Sequence, residues 1–286
     1  MALTLSGGGQ GGVFTLRGGS FGGSFTTSTA PPSLLLDVYS GATAAYSLRK
    51  LRTAYTGSAI RVRRSSDGAL LDIGFVNNVL DTATLQSFIG VNTGVLSIWY
   101  DQSGNGNNAI PVSINNAPII IQSGVLITDV GKVALQVDVL GMDISGITVN
   151  SSYAGFSVMS RTTSNGFLVS FCASSTVPPA ISFAYNDGFL YNENSVNFIR
   201  YAFNLTGRFL FSTTNVSTIQ TAYRNATLQT TTGNVAVGGN VLSRILARTA
   251  PEGVVGKSQE HIFYNSDQSS NRTAIESNIN SYYSIY

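Results

Sequence analysis

Ala45-Tyr-Ser-Leu-Arg-Lys-Leu-Arg52, Ile60-Arg-Val-Arg-Arg-Ser-Ser-Asp-Gly68 and Trp99-Tyr-Asp-Gln-Ser-Gly-Asn-Gly-Asn-Asn-Ala109 follow one another in the front half of the chain as three unusual blocks. In the first, Ala42, Ala45, Leu48, Leu51 and Tyr55 recur at steps of three and four after Ser40 and before Gly57. That spacing predicts a helix capped by Ser40, with Arg49, Lys50 and Arg52 turned outward. The second block reads as a strand over 60–64, joined through Ser66-Asp67-Gly68 to another over 70–75, because Asp and Gly tolerate positive φ. The third leaves a strand of high β propensity, Val95-Leu-Ser-Ile-Trp-Tyr100, and enters a loop of Asp, Asn and Gly. Here Asp101 and the asparagines can bond neighbouring backbone while the glycines supply positive φ, which makes a fixed turn. The alternative is a loop that contacts sugar.

Working outward, Asp81-Thr-Ala-Thr-Leu-Gln-Ser-Phe-Ile89 carries an N-cap aspartate and one apolar face, and reads as a short helix. Strand patterns then recur at short, even spacing over 119–122, 133–137, 156–162, 167–173, 180–185, 198–204, 207–213, 220–224, 234–237 and 256–263. This is the pattern of a two-sheet sandwich. Residues 269–286 read as a closing helix with Ala274 or Ile275, Ile279, Tyr282 and Tyr283 on one face. The expected class is therefore mainly β, a β-sandwich over 34–286 with a few short helices.

Residues 1–33 differ, since short apolar triplets alternate with glycine clusters before Pro31-Pro32. Leu3, Leu5, Val13, Phe14, Leu16, Phe21 and Phe25 would be superfluous in a flexible linker but suit an arm that orders by adding short strands to a partner. A disordered glycine-rich tail is the alternative.

The 286 residues carry 16 Lys and Arg against 14 Asp and Glu, a near-neutral balance that argues against a nucleic-acid binder. A single cysteine, Cys172, excludes an internal disulfide framework and reads as a buried small hydrophobe. With one histidine, His261, a zinc site or a Cys-His nucleophile pair is not expected, and neither is a catalytic triad. The chain start has no basic segment followed by an apolar run, and no stretch is long enough to span a membrane. The expectation is a protein soluble when made, without cofactor, metal, nucleic acid or membrane insertion.

The three blocks resemble the front of the catalytic domain of α-L-arabinofuranosidase B-type enzymes, and equally the concanavalin A-like (laminin G-like) domains of bacteriophage head and tail appendage proteins. Glu260-His-Ile-Phe-Tyr-Asn265 and the closing helix resemble the end of such phage domains, so the resemblance runs from about residue 37 to the terminus. It implies a concanavalin A-like jelly roll. A retaining arabinofuranosidase needs two carboxyl groups about 5 Å apart. The resemblance implies one acid after a Gly-Gly pair, where Ala236-Val-Gly-Gly-Asn240 has an amide, and another near 167–173, which holds none. Asp187 reads as a turn residue, Glu193 and Glu252 as scattered acids, and Glu260 as a partner for an arginine or a cap on a strand end.

On this basis the chain is expected to be a virion structural protein and not an enzyme. Its location would be the head or tail surface of the particle, as a fibre or decoration subunit. It would form a homo-oligomer, a trimer, and reach other virion proteins through its arm. Host-surface glycans would meet Trp99, Tyr100, Asp101, Asn105, Tyr185, Tyr191 and Asn192. The rivals are an arabinofuranosidase-like glycoside hydrolase and a bacterial surface lectin.

Overall fold

A strand ordinarily buries every second side chain, yet Tyr153–Arg161 is buried at every position. The reason is that its two faces enter two separate cores. Tyr153 and Met159 join one apolar cluster, whereas Ala154, Phe156 and Val158 join another. The computed structural model describes residues 33–137, 141–161, 168–172, 180–184, 189–194, 197–202, 207–217, 219–229, 231–232, 241–246 and 256–286.

Tyr153–Arg161 lies inside a large antiparallel sheet. Its strands run in the order Thr227–Leu228, Ile219–Arg224, Gly207–Val216, Tyr153–Arg161, Gly256–Tyr264, Leu135–Val137, Ile119–Gln122, Gly94–Trp99, Ile60–Arg64 and Leu70–Ile73. Ala44–Ser47 also pairs with Gly256–Tyr264, and Val125–Leu126 with Ile119–Gln122. A smaller antiparallel sheet has the order Thr231–Thr232, Asn197–Ala202, Phe189–Asn194, Ala180–Ala184, Leu168–Cys172, Val241–Leu246, Met142–Thr148 and Ile110–Pro111. Trp99, Tyr153, Phe209, Phe211 and Phe263 of the first sheet share one core with Met142, Ile147, Phe171, Leu242 and Ile245 of the second. The Phe171 ring lies 5.4 Å from Phe263 and 6.1 Å from the His261 ring, so the sheets interdigitate through aromatic contacts. The molecule is a β-sandwich.

The outer face of the large sheet is covered as well. A short helix, Leu35–Val38, and the closing helix, Arg272–Tyr283, press Leu35, Leu36, Ile275, Ile279 and Tyr283 onto Ala154, Phe156, Leu210 and Ile262. Burial on both faces explains why the middle strands lack a clean polar alternation. It also explains Gly256, where an added Cβ would stand 2.1 Å from the Ser160 carbonyl oxygen.

The expected helix after Ser40 is not formed. Ala44–Ser47 is a strand, in register from Ala44 opposite Phe263 to Ser47 opposite Glu260. Ala44 and Tyr46 enter the core between the sheets and Ala45 the core under the helices, so burial on both sides produces apolar spacing that mimics a helical face. Arg49 is accordingly buried rather than outward. The helix at Thr82–Ile89 forms as expected, with the Asp81 carboxylate accepting from Thr84 N at 3.0 Å. Gly68 takes φ +73° in the expected turn. Met142–Thr148, Phe189–Asn194 and Val241–Leu246 are strands that the sequence reading did not register. The expected strand over 234–237 and the arm residues Leu3, Leu5, Val13, Phe14, Leu16, Phe21 and Phe25 lie outside the described residues.

Candidate functional site

The motif-like loop after Trp99 is a clamp on the chain's own backbone. The buried Asp101 carboxylate accepts from Ala45 N at 2.8 Å, Ser103 N at 2.9 Å, Ser103 Oγ at 2.7 Å and Asn107 N at 3.0 Å. Gln102 accepts from Leu51 N at 2.8 Å and donates to the Ser47 and Arg49 carbonyls, both at 3.0 Å. Asn105 donates to the Ala42 and Thr43 carbonyls at 3.0 Å, and Asn107 to Thr43 at 2.9 Å. The Tyr46 hydroxyl donates to the Asn107 carbonyl. Gly104 and Gly106 hold φ of +94° and +77°, which keeps the loop folded back on residues 42–51. Each polar side chain serves a backbone group that would otherwise be buried unpaired.

This geometry decides several of the expected sugar contacts. Trp99 is 0% exposed, packed against Tyr46 and His261, and Asp101 is spent inside the clamp, so neither meets a ligand at the surface. Asn105 is exposed but its amide donor is committed to backbone. Tyr100 stands near the sheet edge and donates to Asp72 at 2.7 Å, while Arg61 grips the same carboxylate at 2.9 and 2.7 Å. Partial burial and then the bond to Asp72 push the Tyr100 phenol up to about 12. Tyr191 and Asn192 belong to the other sheet, opposite Arg200 and Ile199. Tyr185 lies outside the described residues. The proposed set is thus divided between a core, an internal clamp and two sheets.

His261 is a core residue. Its Nδ1 meets Ser157 Oγ at 2.9 Å and its Nε2 meets Ser258 Oγ at 2.6 Å, and burial drives its pKa down to about 3. Neutral and without a carboxylate partner, it does not form a triad. Among the described residues no group of three His, Cys, Asp or Glu side chains could hold a metal.

Carboxylates are mostly committed to structure. Glu260 receives Arg49 at 2.8 and 2.9 Å, Ser47 Oγ at 2.7 Å and the Tyr283 hydroxyl at 3.2 Å. Glu276 receives Ser212 and Arg272. Glu276 sits on the inner side of the closing helix and Glu260 on the strand Gly256–Tyr264, and the sequence signal for them is an acid at a position that the helical or strand pattern makes internal. Arg61 binds Asp72, Arg244 binds Asp143 at 2.7 Å, and Arg64 holds the Asp67 carboxyl down at about 2. Asp37, Asp81 and Asp267 accept from Thr53, Thr84 and Ser269. Asp129 differs, because its Oδ2 is buried without a partner. Glu193 lies on Phe189–Asn194, while Asp138, Asp187 and Glu252 fall outside the described residues.

Beside the clamp lies a cavity of about 250 Å³ lined by Leu36, Ser40, Gly41, Ala42, Arg52 and Ser103, where Arg52 donates to the Ser103 carbonyl at 2.5 Å. The stretch that builds this region, residues 36–166, matches the family model of the catalytic domain of α-L-arabinofuranosidase B. A probable α-L-arabinofuranosidase B of Aspergillus flavus is 46% identical over 79 residues, which is 25% of this chain and 16% of that protein. The α-L-arabinofuranosidase B of Aspergillus oryzae is 44% identical over 79 residues, with the same coverage. The chain therefore aligns with about a sixth of the length of these relatives. Among solved structures, a GH54 α-L-arabinofuranosidase soaked with a cyclic sulfate inhibitor superposes with a TM-score of 0.58 at 13% identity, over 86% of this chain and 64% of that one. An arabinofuranosidase complexed with arabinofuranosyl-α-1,2-xylobiose gives 0.56 at 12% identity with the same coverage. These superpositions establish the sandwich fold.

The arabinofuranosidase B match corrects the expected role. The relatives are fungal arabinofuranosidases, not particle components, which overturns the virion structural protein, its head or tail location and the absence of enzymatic function. The phage resemblance rests on the same three blocks together with residues 260–265 and the closing helix, and the blocks build a clamp and sheet scaffold that different duties can share. The inference of missing acids rests on Asn240 and on residues 167–173. Both lie beyond the residues 36–166 that the family model matches.

Proposed function

We propose that this chain is a glycoside hydrolase domain of the arabinofuranosidase B kind, cleaving terminal α-L-arabinofuranosyl groups from a glycan. The observation that carries this reading is the match of residues 36–166 to the catalytic-domain model, reinforced by 46% identity over 79 residues to a fungal relative. The sandwich agrees with it.

Hydrolysis of this type needs one carboxylic acid to protonate the leaving oxygen and one carboxylate to attack the sugar or activate water. Among the described carboxylates Asp129 is held by neither an arginine nor a cap, and the reading assigns the pair to Asp129, Glu193 and the acids that lie outside the described residues, Asp138, Asp187 and Glu252. Asp101, Glu260 and Glu276 are scaffold, because each is buried and fully bonded.

The test is release of 4-nitrophenol from 4-nitrophenyl α-L-arabinofuranoside by the purified full chain and by Asp129→Asn, Asp138→Asn, Asp187→Asn, Glu193→Gln and Glu252→Gln. Two of the five are expected to lose roughly a thousandfold or more in kcat, in line with loss of a nucleophile or general acid. A wild-type chain that releases nothing overturns the proposal, and activity that survives all five substitutions overturns the assignment of the acids.

A further inference from the structure

A second cavity, of about 230 Å³, opens where the hairpin of Thr128–Asp129 and Lys132–Val133 meets the end of the closing helix. Its walls are Leu48, Val79, Leu80 and Val133, and its polar rim is Lys132, Thr82 and Tyr282. The Lys132 ammonium lies 4.2 Å from the centre of the Tyr282 ring, and the Arg49 guanidinium 5.0 Å from the same centre. Arg49 is neutralised by Glu260 behind it. Lys132 is not neutralised. Its ammonium makes no hydrogen bond or ion pair among the described residues, and none joins it to Asp129, its neighbour across the hairpin. The Tyr282 hydroxyl likewise has no acceptor there, and burial raises its pKa, so it stays a donor at neutral pH.

Two uncommitted donors, one of them charged, thus line a cavity that also presents the Thr82 hydroxyl, the aliphatic side chains of Leu48, Val79, Leu80 and Val133, and the Tyr283 ring. Such a surface packs against the C–H faces of a sugar ring, and an ammonium beside it selects a carboxylate through a charge-assisted hydrogen bond. The volume is below the roughly 300–1,000 Å³ of drug-sized sites and suits one ring. We propose that this cavity is a binding site for an acidic monosaccharide unit, a hexuronate. Lys132 would take the carboxylate, and Tyr282 and Thr82 the hydroxyls. Asp129, one of the acids assigned to hydrolysis, lies on the same hairpin but does not line the cavity, and the binding proposal does not depend on it.

The experiment is isothermal titration of the full chain with sodium D-glucuronate, D-glucose and sodium acetate. Glucuronate is expected to bind at least tenfold tighter than either of the others, Lys132→Gln to remove that preference, and Lys132→Arg to keep it. Tyr282→Phe should weaken glucuronate severalfold. The Lys132 side chain makes none of the backbone bonds that hold the hairpin to Gln259, so these variants retain the fold. Equal binding of glucose or acetate, no binding of glucuronate, or an unchanged affinity in Lys132→Gln overturns the site.

Discussion

At the scale of single residues, the molecule keeps its titratable side chains for scaffolding. Asp101 shows this most plainly, since one carboxylate satisfies the backbone N–H groups of Ala45, Ser103 and Asn107. Asp101→Ala leaves those donors without an acceptor and is expected to cost about 3 kcal/mol or more, read from the urea midpoint. Breaking the Arg49–Glu260 pair with Glu260→Leu strands a buried guanidinium and should cost about 3–5 kcal/mol. Arg49→Met combined with Glu260→Leu should regain most of that loss. His261 sets a pH dependence. Its folded pKa, about 3, lies below the ordinary histidine value of 6.5, so the unfolded chain takes up the proton first as pH falls. The stability that neutral His261 contributes is complete above 6.5 and declines between 6.5 and 3, at up to about 1.4 kcal/mol per pH unit. His261→Gln is expected to remove that slope in denaturation measured across this window. The sequence made the turn-forming role of Asp101 and the structural role of His261 legible, because Asn, Asp and Gly in a loop and a lone histidine in a strand each point to a local cause. It did not show that Trp99 is wholly internal, since an aromatic at a strand end reads the same whether it faces solvent or the opposite sheet.

At the scale of elements, the strands buried on both faces are where the sequence reading was weakest. The spacing around Ala44–Ser47 mimics a helix because its neighbours serve two cores at once, and a run with no polar face loses its period of two. Met142–Thr148 was missed for a different reason, as a register shift between Asp143 and Ile147 interrupts its alternation. Helices were legible from a one-sided apolar face, joined by a side-chain cap at Asp81 and without one in Arg272–Tyr283. Two substitutions probe this layer. Gly256→Ala drives a Cβ into the Ser160 carbonyl and should part Tyr153–Arg161 from Gly256–Tyr264 at one end, with a loss of at least about 2 kcal/mol in thermal unfolding. Ile279→Ala opens a void beneath the closing helix and should cost about 2–5 kcal/mol. A Gly256→Ala protein as stable as the parent would show that the two strands have room to separate there.

At the scale of the whole molecule, the sandwich followed from strand spacing, low charge and turn chemistry, whereas its duty did not. The same three blocks suit a hydrolase front and a particle appendage because what they encode is the clamp between residues 42–51 and 101–108. The match of residues 36–166 to the arabinofuranosidase B catalytic domain favours the hydrolase, and makes the release of arabinose the central claim. The most direct measurement follows, by proton NMR, an arabinofuranosyl-substituted xylo-oligosaccharide incubated with the purified full chain. Free arabinose accumulating while the xylose backbone stays intact is the result expected. A spectrum that does not change over a day at micromolar protein would contradict it.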